Sequence, residues 1–105
     1  MDRRYDLSNQ AKADLRDIWN YTIDRWGENQ ADKYYRGIIE AIKAIVDGER
    51  AGQPFPARPS YLKLKQEHHL IFYIPTDESR IFVSRVLHEA MDLPSQLDEA
   101  KHPAP

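Results

Sequence analysis

Apolar residues recur along this chain in two rhythms, and the switch between them separates a helical first half from a strand-forming second half. Ala11, Leu15, Ile18, Trp19, Thr22 and Trp26 return every three or four positions, while Lys12, Arg16, Asp17 and Asp24 fall between them. That spacing gathers the first set on one face of a helix. Ser8 stands just ahead with a hydroxyl that can cap the first orphan amides, so the helix is expected to begin at Asn9 or Gln10 and to end at Gly27. A second stripe, Ala31, Tyr34 or Tyr35, Ile38, Ile42 and Ile45, predicts another helix, capped by Asn29 and stopped by Asp47-Gly48. So short a link makes the two an antiparallel hairpin. Ahead of them, Tyr5 and Leu7 flank Asp6 in a brief alternating segment that reads as a strand.

Residues 49–60 bring Gly52, Pro54, Pro56 and Pro59 and are expected to form the loop between the halves, with neither helix nor central strand. Beyond it, residues 61–65 alternate apolar with basic, 69–74 are nearly all apolar, 75–79 turn, and 80–87 read as the most central strand. The order is β-α-α-β-β-β. The expected architecture is α+β, with the helix hairpin packed on one face of a small antiparallel sheet. Residues 1–97 are read as a single domain, with a short helical turn over 93–97 and a disordered tail over 98–105. Leu70, Ile71, Phe72, Tyr73 and Ile74 are apolar toward both faces of such a sheet, as are Ile81, Phe82 and Val83. Each one left wet forfeits about 1.5–3 kcal/mol. An obligate partner or the C-terminal tail would cover the face opposite the helices; the tail offers only Leu93 and Leu97, so a partner chain is expected, and a second copy would serve equally.

Composition narrows the chemistry. Two Trp, six Tyr and three Phe in 105 residues exclude a disordered chain, and the absence of cysteine excludes a disulfide framework and thiolate zinc. No apolar run reaches membrane-spanning length, and the charged N-terminus is not followed by an apolar segment, so a cytoplasmic protein is expected. The net charge is −2, whereas docking on nucleic-acid phosphates ordinarily needs a basic excess. One local excess exists: Arg50, Arg58, Lys63 and Lys65 occur over residues 50–65 without an acidic residue. It fits an acidic peptide, a few phosphates or a solvated loop and edge strand.

Among the four histidines, His68 and His69 are adjacent on an expected strand and should point to opposite faces, which argues against a metal site. His69 is the one expected to face inward or toward a partner. Arg58, Lys63, Lys65, Arg85 and His88 contain the groups that metal-free RNA cleavage requires, a base, an acid and cations for the phosphorane. The acidic balance speaks against that use, and His88 reads better as a side chain hydrogen-bonded at a strand end. Arg85, in an apolar strand, needs a carboxylate: Asp92, Glu89 or one on the first helix. Trp19, Trp26, Tyr34 and Tyr35 are assigned to the fold.

Four segments in order, Tyr5-x-Leu7-Ser8, Arg25-Trp26-Gly27-x-x-Gln30-Ala31, a hairpin from Tyr61 to Tyr73, and Arg85-Val86-Leu87-His88-x-x-Met91-Asp92, resemble the ParE branch of the RelE/ParE toxins across nearly the whole chain. The resemblance implies a toxin without cofactor or catalysis that poisons DNA gyrase and is silenced by a ParD-like antitoxin laid as helix and strand over the sheet and hairpin. Partner contacts are expected at Arg58, Tyr61, Lys63, His69, Ile71, Tyr73, Arg85 and His88. Two alternatives stand beside it. One is a ribosome-dependent mRNA interferase of the RelE branch using His88 with Arg85 and Lys63, although RelE-type ribonucleases look strongly basic and this chain does not. The other is a non-toxic relic that only binds its antitoxin.

Overall fold

The computed structural model describes residues 4–77 and 79–91; the turn expected over 93–97, the tail over 98–105 and Asp92 lie outside them. The elements are β1 (Tyr5–Leu7), α1 (Asn9–Trp26), α2 (Glu28–Val46), β2 (Gln53–Phe55), β3 (Arg58–Gln66), β4 (His69–Asp77) and β5 (Arg80–His88). Ser8 caps α1 as expected: its Oγ accepts from the Ala11 amide at 2.8 Å and donates to the Ser84 carbonyl at 2.6 Å, tying the helix start to β5. Gly27, at φ 93°, turns the chain directly into α2, so the second helix starts at Glu28 without a side-chain cap and Asn29 does not serve as one.

The five strands form one sheet in the order β1-β5-β4-β3-β2. The α+β architecture stands, with two differences. β1 runs parallel to β5, because the helix hairpin carries the chain over the sheet before the remaining strands are laid down, so the sheet is mixed. β2 forms inside the expected loop, antiparallel to β3 and at the outer edge, where Pro54 needs no ladder amide on its open side. Gly52 leads into it, donating its amide to the Tyr73 hydroxyl at 2.7 Å so close to β3 that a Cβ would lie 2.6 Å from the Lys63 carbonyl oxygen.

α1 and α2 cover one face through Ala11, Leu15, Ile38 and Ile42, which pack on Ile71 and Val83. The other face carries Phe55, Tyr61, Leu70, Phe72 and Leu87, with Ile74 beside them. The expectation that this face lies open for another polypeptide is overturned: Phe72 is 0% and Leu87 1% exposed within the chain itself. Part of the reason is β2, which brings Phe55 edge-on to Phe72 with ring centroids 5.2 Å apart.

Candidate functional site

The eight expected contact residues do not form one surface. Ile71 and Tyr73 lie in the core beneath the helices, because β4 alternates and these two positions take the helix-covered side. They pack the fold and present nothing to a partner. Tyr61 is buried on the opposite face, its hydroxyl accepting from Ser84 Oγ at 3.4 Å.

Arg85 finds its carboxylate on α1. Its Nε and Nη2 each donate to Asp14 at 2.8 Å, and the backbone amide of Val86 donates to Asp14 Oδ2 at 2.9 Å. The topology explains the arrangement: β1 stops at Leu7, opposite Val83, so the edge of β5 beyond that point has no strand partner and Asp14 satisfies it instead. With the two side chains only 9% and 11% exposed, the guanidinium is a structural clamp and is withdrawn from any phosphate or partner carboxylate. This also separates Arg85 from the trio that an interferase would need.

Much of the basic stretch is engaged as well. Arg50 donates to Gln66 Oε1 at 2.9 Å and to the Lys65 carbonyl at 3.2 Å, Lys65 pairs with Glu89 at 2.9 Å, and the Lys63 ammonium lies 5.3 Å from the centre of the Phe55 ring. Lys63 and Arg58 are half-buried and His88 is exposed, so these three, with the partly open His69, are the expected contacts that retain an outward surface.

One end of the sheet gathers three imidazoles. A tight turn joins β3 to β4 through Glu67, at φ 56°, and His68, so His68 sits in the turn and not on a strand face opposite His69. His69 pairs with His88 across β4 and β5. The His88 ring meets His69 edge-on at 5.2 Å and stacks with His68 at 6.4 Å. Each Nδ1 is engaged: His68 with Glu89 at 3.2 Å, His69 with the Tyr34 hydroxyl at 2.6 Å, and His88 as acceptor for the Ala90 amide at 3.0 Å. Among the described residues no group of three or more such side chains could hold a metal ion. Hydrogen bonds from Lys65 and His68 hold the Glu89 carboxyl below its ordinary range.

Tyr34 accepts from the His68 amide at 3.2 Å, which directs its own proton to His69, and burial raises its phenol above the ordinary value of 10.0. Burial first, then His88 and His68, press the His69 pKa from 6.5 to about 4. A neutral imidazole that the unfolded chain would protonate near 6.5 makes the fold less stable as pH falls from there toward 4. The partly exposed position screens the effect to about 1–2 kcal/mol. Melting temperature is expected to fall between about pH 7 and pH 5 and to fall less in His69→Gln. Equal slopes in the two proteins would place the acid sensitivity elsewhere.

Two features escaped the sequence. Tyr34, assigned to packing, is the polar partner of His69 and the turn. Trp26, also assigned to the fold, is 69% exposed at the end of α1. Its place on the apolar stripe was readable, but the point at which cover for that stripe runs out was not.

Residues 5–93 match the family described as the ParE toxin of type II toxin-antitoxin system, parDE. The chain is 43% identical over 98 residues to Toxin ParE1 of Mycobacterium tuberculosis (strain CDC 1551 / Oshkosh), covering 92% of this chain and all of that protein. It is 38% identical over 94 residues to Toxin ParE1 of Caulobacter vibrioides, covering 89% and 96%, and 33% identical to Toxin ParE of Escherichia coli, covering 89% and 91%. A solved structure titled the chromosomal ParDE TA system from P. aeruginosa superposes with a TM-score of 0.69 at 23% identity, over 80% of this chain and 92% of that one, and bears on the fold alone.

Proposed function

The chain belongs to the ParE toxin family of type II toxin–antitoxin systems, and from that membership we propose that it arrests growth by inhibiting DNA gyrase, without chemistry of its own, until a ParD-like antitoxin neutralises it in the cytoplasm. The observation that bears most on the mode of action is the Asp14–Arg85 clamp. An arginine held by two hydrogen bonds to a carboxylate does not stabilise a phosphorane. Poisoning a DNA enzyme by binding it also agrees with a net charge of −2, which gives phosphates little to attract. Arg58, Lys63, His69 and His88 are the residues proposed to face the antitoxin, whose acidic groups would suit them. No helix among the described residues is long and apolar enough to cross a membrane.

The test uses purified chain, gyrase and plasmid. Loss of supercoiling, or accumulation of cleaved plasmid, is the expected result, abolished by stoichiometric antitoxin. Unimpaired gyrase together with cleavage of translated mRNA would overturn the proposal in favour of an interferase.

A further inference from the structure

His68 is exposed and yet held in place. Its side chain is 69% accessible, while its amide donates to the Tyr34 hydroxyl at 3.2 Å, its carbonyl accepts from the Glu89 amide at 3.0 Å and its Nδ1 meets Glu89 Oε2 at 3.2 Å. The ring also stacks on His88 at 6.4 Å. A side chain fixed in this way loses little rotamer freedom when a partner engages it. With the Nδ1 proton given to the carboxylate, the atom left over is Nε2, which has no hydrogen bond among the described residues. A proton added there costs no internal contact. The other two imidazoles differ: Nδ1 of His69 accepts from the Tyr34 hydroxyl and Nδ1 of His88 from the Ala90 amide, so a second proton on either ring forfeits a hydrogen bond. Charge around the three rings balances. Lys65 of β3 and Arg50, which is bound to Gln66 Oε1 and the Lys65 carbonyl, stand against Glu67 of the turn and Glu89 beyond β5. α1 contributes Asp14, which Arg85 of β5 neutralises, and α2 the Tyr34 phenol. With neutral imidazoles this end of the sheet offers a partner no net charge, and each proton taken up makes it positive.

On the reading of the chain as a toxin held by an antitoxin with acidic groups, we propose that His68 is a docking point for a carboxylate of that antitoxin and takes a proton from solvent onto Nε2 as the complex forms. Lys63 and Lys65 share one side of β3, and Lys65 reaches Glu89, so the basic stretch runs on into this end of the sheet. A carboxylate brought to Nε2 favours the charged ring over the neutral one. The complex therefore holds a proton that the free chain gives up, and the affinity this supplies is present at low pH and lost as pH rises. Acidification tightens the complex over the range in which neutral His69 makes the free fold less stable.

Calorimetry of the full chain with its ParD-like antitoxin from pH 8 to pH 6, in buffers of different ionisation enthalpy, reads affinity and proton uptake together. Affinity is expected to rise about fivefold over that range, with net uptake of protons. His68→Gln should melt with the parent at pH 8, bind like it there, and lose both the rise and the uptake. His88→Gln should keep them, because its ring already spends Nδ1 on Ala90. His68→Lys carries its charge at every pH and should bind at pH 8 as tightly as the parent does at pH 6. An unchanged rise in His68→Gln overturns the inference, as does His68→Lys binding no more tightly than His68→Gln at pH 8. Tight binding by the parent without pH dependence overturns it too and leaves the antitoxin reading standing, whereas no binding at any pH overturns both.

Discussion

Asp14→Ala is expected to lower the stability of the free chain by about 3–5 kcal/mol, the range for removing one partner of a buried ion pair. Asp14 accepts three hydrogen bonds, from Arg85 Nε, Arg85 Nη2 and the Val86 amide. Its loss takes the carboxylate and two hydrogen bonds from a guanidinium whose side chain is 9% exposed, and removes the Asp14 acceptor from a strand amide. At about 4–8 °C per kcal/mol for a domain of this size, the melting temperature should drop by more than about 12 °C. The control is the double variant Asp14→Ala with Arg85→Met, which removes the buried guanidinium together with its carboxylate. It should recover at least about half of the loss. A single variant that loses less than about 1 kcal/mol, with nothing regained in the double, would show that solvent reaches the pair freely and that Arg85 is available to a ligand after all.

Arg85 also illustrates what the sequence could and could not convey. A charge inside an apolar strand demanded a carboxylate, and three were in reach by chemistry alone. Choosing among them required knowing that β1 ends at Leu7, opposite Val83, short of Arg85, and that α1 passes there, 71 positions upstream. The two long helices were legible because each repeats its apolar face over 18 or 19 residues, far longer than chance patterning sustains. The cap at Ser8 was legible for a similar reason, being local chemistry. β2 was not, since three residues containing a proline have no strand signal of their own and acquire one only by pairing with β3. His68 and His69 were placed on opposite faces by the period of a strand that had already ended in a turn. Register, edges and the extent of a neighbouring layer are properties of the assembled sheet, and each misplaced contact residue depends on one of them.

Phe72→Ala should be the most destabilising substitution on the face away from the helices, with a loss of about 3–5 kcal/mol measured by denaturant unfolding of the chain alone. The ring is fully buried, packs edge-on against Phe55 and joins Tyr61, Leu70 and Leu87 in one cluster, so truncation removes both transfer energy and contacts that the rigid strands cannot close over. The experiment distinguishes two roles for this face. Were it a docking surface left open for an antitoxin, its side chains would contribute little to the free toxin, and Phe72→Ala would spare the melting temperature while weakening the complex. If the face is a second core, the same substitution unfolds the toxin at lower denaturant and weakens antitoxin binding only as far as the folded fraction falls. Burial inside the single chain favours the second outcome. Ile74→Ala supplies the internal comparison, because a half-buried side chain at the margin of the same cluster should cost no more than about half as much. Equal, small losses at both positions would return this face to the role of a partner surface.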